Sequence, residues 1–153
     1  MIKNTTQGFT LFISILVGSL MLSIGFSIFN LTFKELLLSA SARDSQIAFY
    51  AADTGLECAL YYDQKENVFI ITGPGGVSIT CGGQTVSVSK VIRPGVHTWE
   101  WWIDSSSGIC TKIEVNKYTN LEQTVIRSFG YNTCTSDDPR RTERGLRVIY
   151  NGL

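Results

Sequence analysis

Four cysteines, a single histidine and three tryptophans are the residues of this 153-residue chain with the most chemistry to offer. Cys58, Cys81, Cys110 and Cys134 lie 23, 29 and 24 positions apart, with no Cys-x-x-Cys among them. Those intervals match no usual zinc-ligand pattern, so disulfide formation is the expected chemistry. Four cysteines allow three pairings, and the sequence leaves all three open. Nearness along the chain favours Cys58 with Cys81 and Cys110 with Cys134, each bond stabilising by about 2–4 kcal/mol. His97 precedes a tryptophan-rich run and reads as a sheet residue. Glu100, Asp104 and Glu114 carry no mark of a matched acid and base. No enzymatic activity, cofactor or metal is expected.

Two other groups are candidates for binding. Trp99, Trp101 and Trp102 cannot share one side of a strand, because side chains alternate: Trp99 and Trp101 take one face and Trp102 the other. Core packing accounts for two of the three, leaving Trp99 or Trp102 as a surface aromatic that can meet a ligand, a neighbouring chain or a sugar. Arg140, Arg141, Arg144 and Arg147 form a basic cluster near the C-terminus, interspersed with Asp137, Asp138 and Glu143. A solvated or salt-bridged face is the expected role, with phosphate contact to nucleic acid the less favoured one.

The elements that must position these residues follow from where charge is missing. The formal net charge is zero, from 13 basic and 13 acidic side chains, but none occurs between Lys3 and Lys34. Of the 25 residues from Phe9 to Phe33, 16 are Phe, Leu, Ile, Val or Met. A helix of that length spans about 37 Å against the roughly 30 Å of a bilayer core. The run is too long for the core of a cleaved signal peptide, and its first small-residue site, at Ser39 to Ala42, falls after Lys34-Glu35. A domain this small can hardly surround a helix apolar on all sides, so membrane insertion is the better reading. Lys3 places the N-terminus in the cytoplasm and the rest of the chain, with all four cysteines, outside.

Beyond the apolar run, Leu36, Leu37, Ala40, Ile47, Ala48, Ala51, Ala52, Leu56, Ala59 and Leu60 recur at three- and four-residue intervals. One helix is predicted over 9–62, apolar all round at first and on one stripe afterwards. Gly55 is expected to mark close packing. From residue 66 the chain turns to Val, Ile, Thr and Trp runs broken by glycine. Strands are predicted at 68–72, 77–81, 85–92, 98–103, 109–116, 123–130 and 146–150. Their short separators allow hairpins but no crossover helices, so the sheet should be antiparallel. An α+β fold results, with the helical stripe covering one sheet face.

Gly8-Phe9-Thr10-Leu11, after a short polar leader and before an uncharged helix, resembles the leader junction of type IV pilins and pseudopilins. The stretch Ala48-Phe49-Tyr50-Ala51-Ala52-Asp53-Thr54-Gly55-Leu56-Glu57 is similar to a segment of the minor pilins that prime assembly. The resemblance covers residues 1–60 in sequence and only the architecture beyond. It implies a leader (1–8) cut between Gly8 and Phe9 by prepilin peptidase, N-methylation of Phe9, a transmembrane and polymerisation helix (9–33), its amphipathic continuation (34–65) and a β-rich globular domain (66–153).

The implied partners are other pilin subunits through the N-terminal helix, the peptidase, an inner-membrane assembly platform and, before assembly, membrane lipid. The implied location is a single membrane pass, then an extracellular or periplasmic filament. Two positions depart from the family pattern. Gln7 stands where a basic residue usually precedes the glycine, and Ile13 stands where most members carry a glutamate. A carboxylate at that depth costs about 2.5–3.5 kcal/mol unless neutralised. In the family its partner is the N-terminal ammonium of a subunit already in the filament, so a chain lacking it fits the first or tip position. The competing expectation is a signal-anchored extracytoplasmic binding domain that never polymerises.

Overall fold

A computed structural model of the chain describes residues 6–73 and 75–152; Lys3 lies outside them. One helix, α1 (Thr6–Gln64), is followed by six strands: β1 (Gly76–Cys81), β2 (Gln84–Arg93), β3 (Val96–Asp104), β4 (Cys110–Tyr118), β5 (Gln123–Tyr131) and β6 (Glu143–Asn151). The strands form one antiparallel sheet in the order β1-β2-β3-β4-β5-β6, every neighbour in space being a neighbour in sequence. This is the expected α+β architecture. The chain divides into two compact units, Met1–Ala40 and Ser41–Leu153, and α1 contributes to both.

In the first unit, α1 meets the length and composition needed to cross a membrane. Its described side chains from Phe9 to Ala40 are all exposed. Four of the hydroxyls that interrupt the apolar run turn back onto the helix: Ser14 donates to the Leu11 carbonyl at 2.8 Å, Ser19 to Leu16 at 2.9 Å, Ser27 to Ser23 at 2.9 Å and Thr32 to Ile28 at 3.0 Å. Each is thus satisfied without water, as a hydrocarbon environment requires.

In the second unit, Ala48, Ala52, Leu56 and Ala59 form the buried stripe of the helix. It lies on the inner face of the sheet, where Trp99, Trp101, Ile113, Val115 and Ile126 are buried. Small residues set the spacing. A Cβ on Gly130 would sit 2.1 Å from the Ala48 carbonyl oxygen and 2.3 Å from the Ala52 nitrogen. One on Gly55 would meet Thr111 Cγ2 and Ser128 Oγ at 2.6 Å, so its predicted role in close packing is seen.

The end of α1 also covers the free edge of β1. The Tyr62 hydroxyl accepts from the Thr80 backbone nitrogen at 3.0 Å and donates to its carbonyl at 3.1 Å. Unpaired edge groups invite association with other strands, and this side chain occupies them. The β1–β2 hairpin turns on Gly82 and Gly83, both at positive φ (57° and 79°) as a tight two-residue turn requires.

The predicted first strand at 68–72 is not one. Phe69 alone of that segment is fully buried, closing the core against Trp99 and Trp101 at ring distances of 5.7 and 5.5 Å. The segment's carbonyls are met by a side chain instead of a ladder: Lys90 Nζ donates to Ile70, Ile71 and Gly73 at 3.2, 2.7 and 3.1 Å. A β-rich composition was thus used for a plug. Strand β4 runs two residues past its predicted end, which moves Lys117 from an expected turn into the sheet.

Candidate functional site

Six antiparallel strands with one face packed on α1 leave the opposite face for other use. Alternation along β3 turns Val96, Thr98, Glu100 and Trp102 outward, and register places their partners Tyr118, Asn116, Glu114 and Lys112 beside them on β4. On β5, Arg127 lies opposite Glu114 and Phe129 opposite Lys112. One row across four strands therefore reads Glu100, Glu114, Arg127, Arg147, with two like-charge pairs directly opposed. Such pairs destabilise a sheet. Lys112 relieves the acidic pair, 2.6 Å from Glu114 Oε1 and 3.9 Å from Glu100 Oε2.

Trp102 is 47% exposed, while Trp99 and Trp101 are buried at 1% and 3%. The structure thus corrects the expectation for Trp99, which belongs to the core and not to the surface. Trp102 stacks on Tyr131 at 5.9 Å, and the Arg141 guanidinium sits 4.1 Å over the other ring of that pair. Burial, with Glu143 next in weight, holds the Tyr131 hydroxyl pKa above its usual value.

The arginines do not form one patch, which corrects the expected basic face. Arg144 donates from Nε to Ser45 Oγ on α1 at 2.7 Å. Arg147, three positions on, points to the opposite side of the strand, beside Arg127. Arg141 is spent on Tyr131, and Arg140 is exposed on the loop before β6. Period-two geometry divides what is contiguous in sequence.

Two disulfides form, Cys58–Cys81 and Cys110–Cys134, as proximity along the chain favours. The first ties α1 to β1; the second ties β4 to the loop before β6. Asp104 lies beside the second, its Oδ1 3.0 Å from Cys110 Sγ. These three residues have the spacing of a metal-ligand group, but sulfurs bonded to each other are not thiolates and offer no such donors.

One buried polar group was not legible from sequence. Asp63, at the end of α1, pairs with Lys117 Nζ at 2.7 Å, with side-chain exposures of 4% and 7%. The Tyr150 hydroxyl donates to the other Asp63 oxygen. Burial first, and then the hydrogen bond to Asp63 and the Asp63 charge, push the Tyr150 pKa well above its ordinary value. These groups join α1 to β4 and β6. His97 lies opposite Lys117 in register, in the sheet as expected.

The Gly8–Phe9 bond falls within α1, and Ile13 is exposed on the same helix. An apolar groove of about 360 Å³ lies beside the second half of the helix, lined by Ile47, Tyr50, Ile103 and Ile109 among others. Comparison with protein-family models, with curated proteins and with solved structures finds no match for the chain.

Proposed function

We infer that this chain is a minor pilin or pseudopilin, a structural subunit of a type IV pilus-like filament that acts in initiation or at the tip. The observation that carries this reading is the uncharged, exposed helical run from Phe9 to Phe33, directly after Gly8 and part of one helix whose far end is bound to a disulfide-stabilised sheet. A surface of Phe, Leu and Ile that long needs lipid first and a partner afterwards. Lipid and a neighbouring helix are equally apolar, so a chain can pass from one to the other when close packing at small residues such as Gly18 and Gly25 favours the helix. Neither glycine has any heavy atom within 4 Å of an added Cβ, leaving both open to a neighbour.

Peptidase cleavage between Gly8 and Phe9 and methylation of Phe9 would precede assembly. Ile13 at the position of the family glutamate favours a subunit with none ahead of it, since no ammonium then needs a partner. The arrangement of the folded unit outside the cytoplasm accords with its two disulfides.

The test is to shear filaments from the native host, then sequence the N-terminus of this chain and measure its ratio to the principal subunit. A new N-terminus at Phe9, in a filament fraction where this chain is far below stoichiometric, is expected. An intact Met1 and no filament fraction would sink the proposal in favour of the signal-anchored binding domain.

A further inference from the structure

We propose that the outer face of the sheet binds a neutral hexose unit of a glycan, with Trp102 as the stacking platform and Glu100, Glu114 and Asn116 as the hydrogen-bonding floor. This goes beyond the filament reading and does not rest on it.

Two adjoining hollows mark the place. One, of about 480 Å³, is lined by Thr98, Glu100, Glu114 and Asn116 among others. The second, of about 380 Å³, is bounded by Ser87, Ser89 and Trp102, and Glu100 is a wall of both. Outward residues recur about 6.6 Å along a strand and about 4.8 Å across to the next, so Glu100, Trp102, Lys112 and Glu114 frame an area the size of one sugar ring.

Each group has capacity to spare. Asn116 is 7% exposed; its Oδ1 accepts from Thr98 Oγ1 at 2.8 Å, and its Nδ2 is buried with no partner. A buried amide donor with nothing to meet is an exception that calls for a ligand oxygen. The Glu100 side chain is 45% exposed and only distantly paired, because Lys112 stands close to Glu114 instead. An ionised carboxylate has two oxygens and can accept from adjacent hydroxyls of a diol. Trp102 is held by Tyr131 and, through it, by Arg141, so its ring offers an apolar plane without further loss of side-chain freedom on binding.

Charge selects the class. Glu100 and Glu114 stand against Lys112, Arg93 and Arg127 around the first hollow, so charges of both signs largely offset one another there and the floor suits a neutral ligand. Lys112 relieves the opposition of Glu100 and Glu114 mainly at Glu114, which leaves the Glu100 carboxylate as the freer acceptor for hydroxyl donors.

The experiment prints neutral oligosaccharides built from glucose, galactose, mannose and N-acetylhexosamines beside sialylated and sulfated ones. The full chain is applied in a detergent without a sugar headgroup. Saturable binding to at least one neutral structure is expected, followed in solution by a change in tryptophan fluorescence. Trp102→Ala and Glu100→Gln should each weaken it at least tenfold with the urea unfolding midpoint retained, and Arg144→Ala, on the helix side, should leave it unchanged. Glu100→Gln preserves shape at a half-buried site, so it keeps the test valid if Trp102→Ala unfolds the chain. Absence of binding to every neutral glycan, preference for the charged ones, or binding untouched by Glu100→Gln would overturn the proposal. N-terminal sequencing decides the filament reading separately.

Discussion

Asp63 and Lys117 form an ion pair shielded from water at the point where the end of the helix meets the inner face of the sheet. Taking two charges out of water is costly, and the pair is tolerated because Tyr150 supplies a further hydrogen bond to the carboxylate. Removing one partner strands the other. Asp63→Ala is expected to destabilise the folded unit by about 3–5 kcal/mol in urea unfolding of the detergent-solubilised chain followed by tryptophan fluorescence. Asp63→Leu combined with Lys117→Met should recover most of that loss, because no buried charge then remains. If the single substitution costs nothing, the pair is not buried as described. None of this was legible beforehand: Lys117 falls between two predicted strands, and only the fold joins it to a residue as distant in sequence as Asp63. Trp99 and Trp102 were half legible. Alternation correctly divided the three tryptophans between two faces, but which face meets the helix is a property of the assembled sheet.

At the scale of elements, contact between α1 and the sheet depends on missing side chains as much as on buried ones. The buried stripe is three alanines and a leucine, and opposite it stands Gly130, whose added Cβ would strike helix backbone at two points. Backbone cannot swing aside as a flexible side chain can. Gly130→Ala is therefore expected to lift the helix from β5 and cost at least about 3 kcal/mol, at the upper end of overpacking penalties. Gly145→Ala serves as the comparison and should cost far less, since its Cβ would meet only the Phe129 ring at 3.4 Å. Equal unfolding midpoints for the two variants would refute the distinction. Gly55 was identifiable in the sequence because it breaks a helical pattern where alanine would be better. Gly130 was not, because a glycine at the end of a strand reads as the start of a turn. Likewise, residues 68–72 have a strand's composition, yet Lys90 supplies the hydrogen bonds that a neighbouring strand would have supplied.

For the molecule as a whole, the folded unit is closed at both ends by covalent bonds across 23 and 24 residues. Chain-entropy reasoning assigns each about 3 kcal/mol. Replacing Cys58 and Cys81 together by serine should lower stability by about that amount, measured by urea unfolding. It should also expose the β1 edge, since Tyr62 and the disulfide hold the same strand; amide hydrogen exchange at Thr80 is the readout, and unchanged protection there would contradict it. By itself the sequence determined the long helix, its uncharged membrane-length beginning, the antiparallel sheet and the separation of hydrophobic from polar faces. All of these follow from local periodicity and from the absence of charge over a continuous run. Tertiary structure alone decided the disulfide pairing, the burial of Asp63 with Lys117, the division of the arginines and the polar hollow beside Trp102. Each of those depends on how the helix, the strands and the loops meet in space, which brings together residues that no local pattern relates.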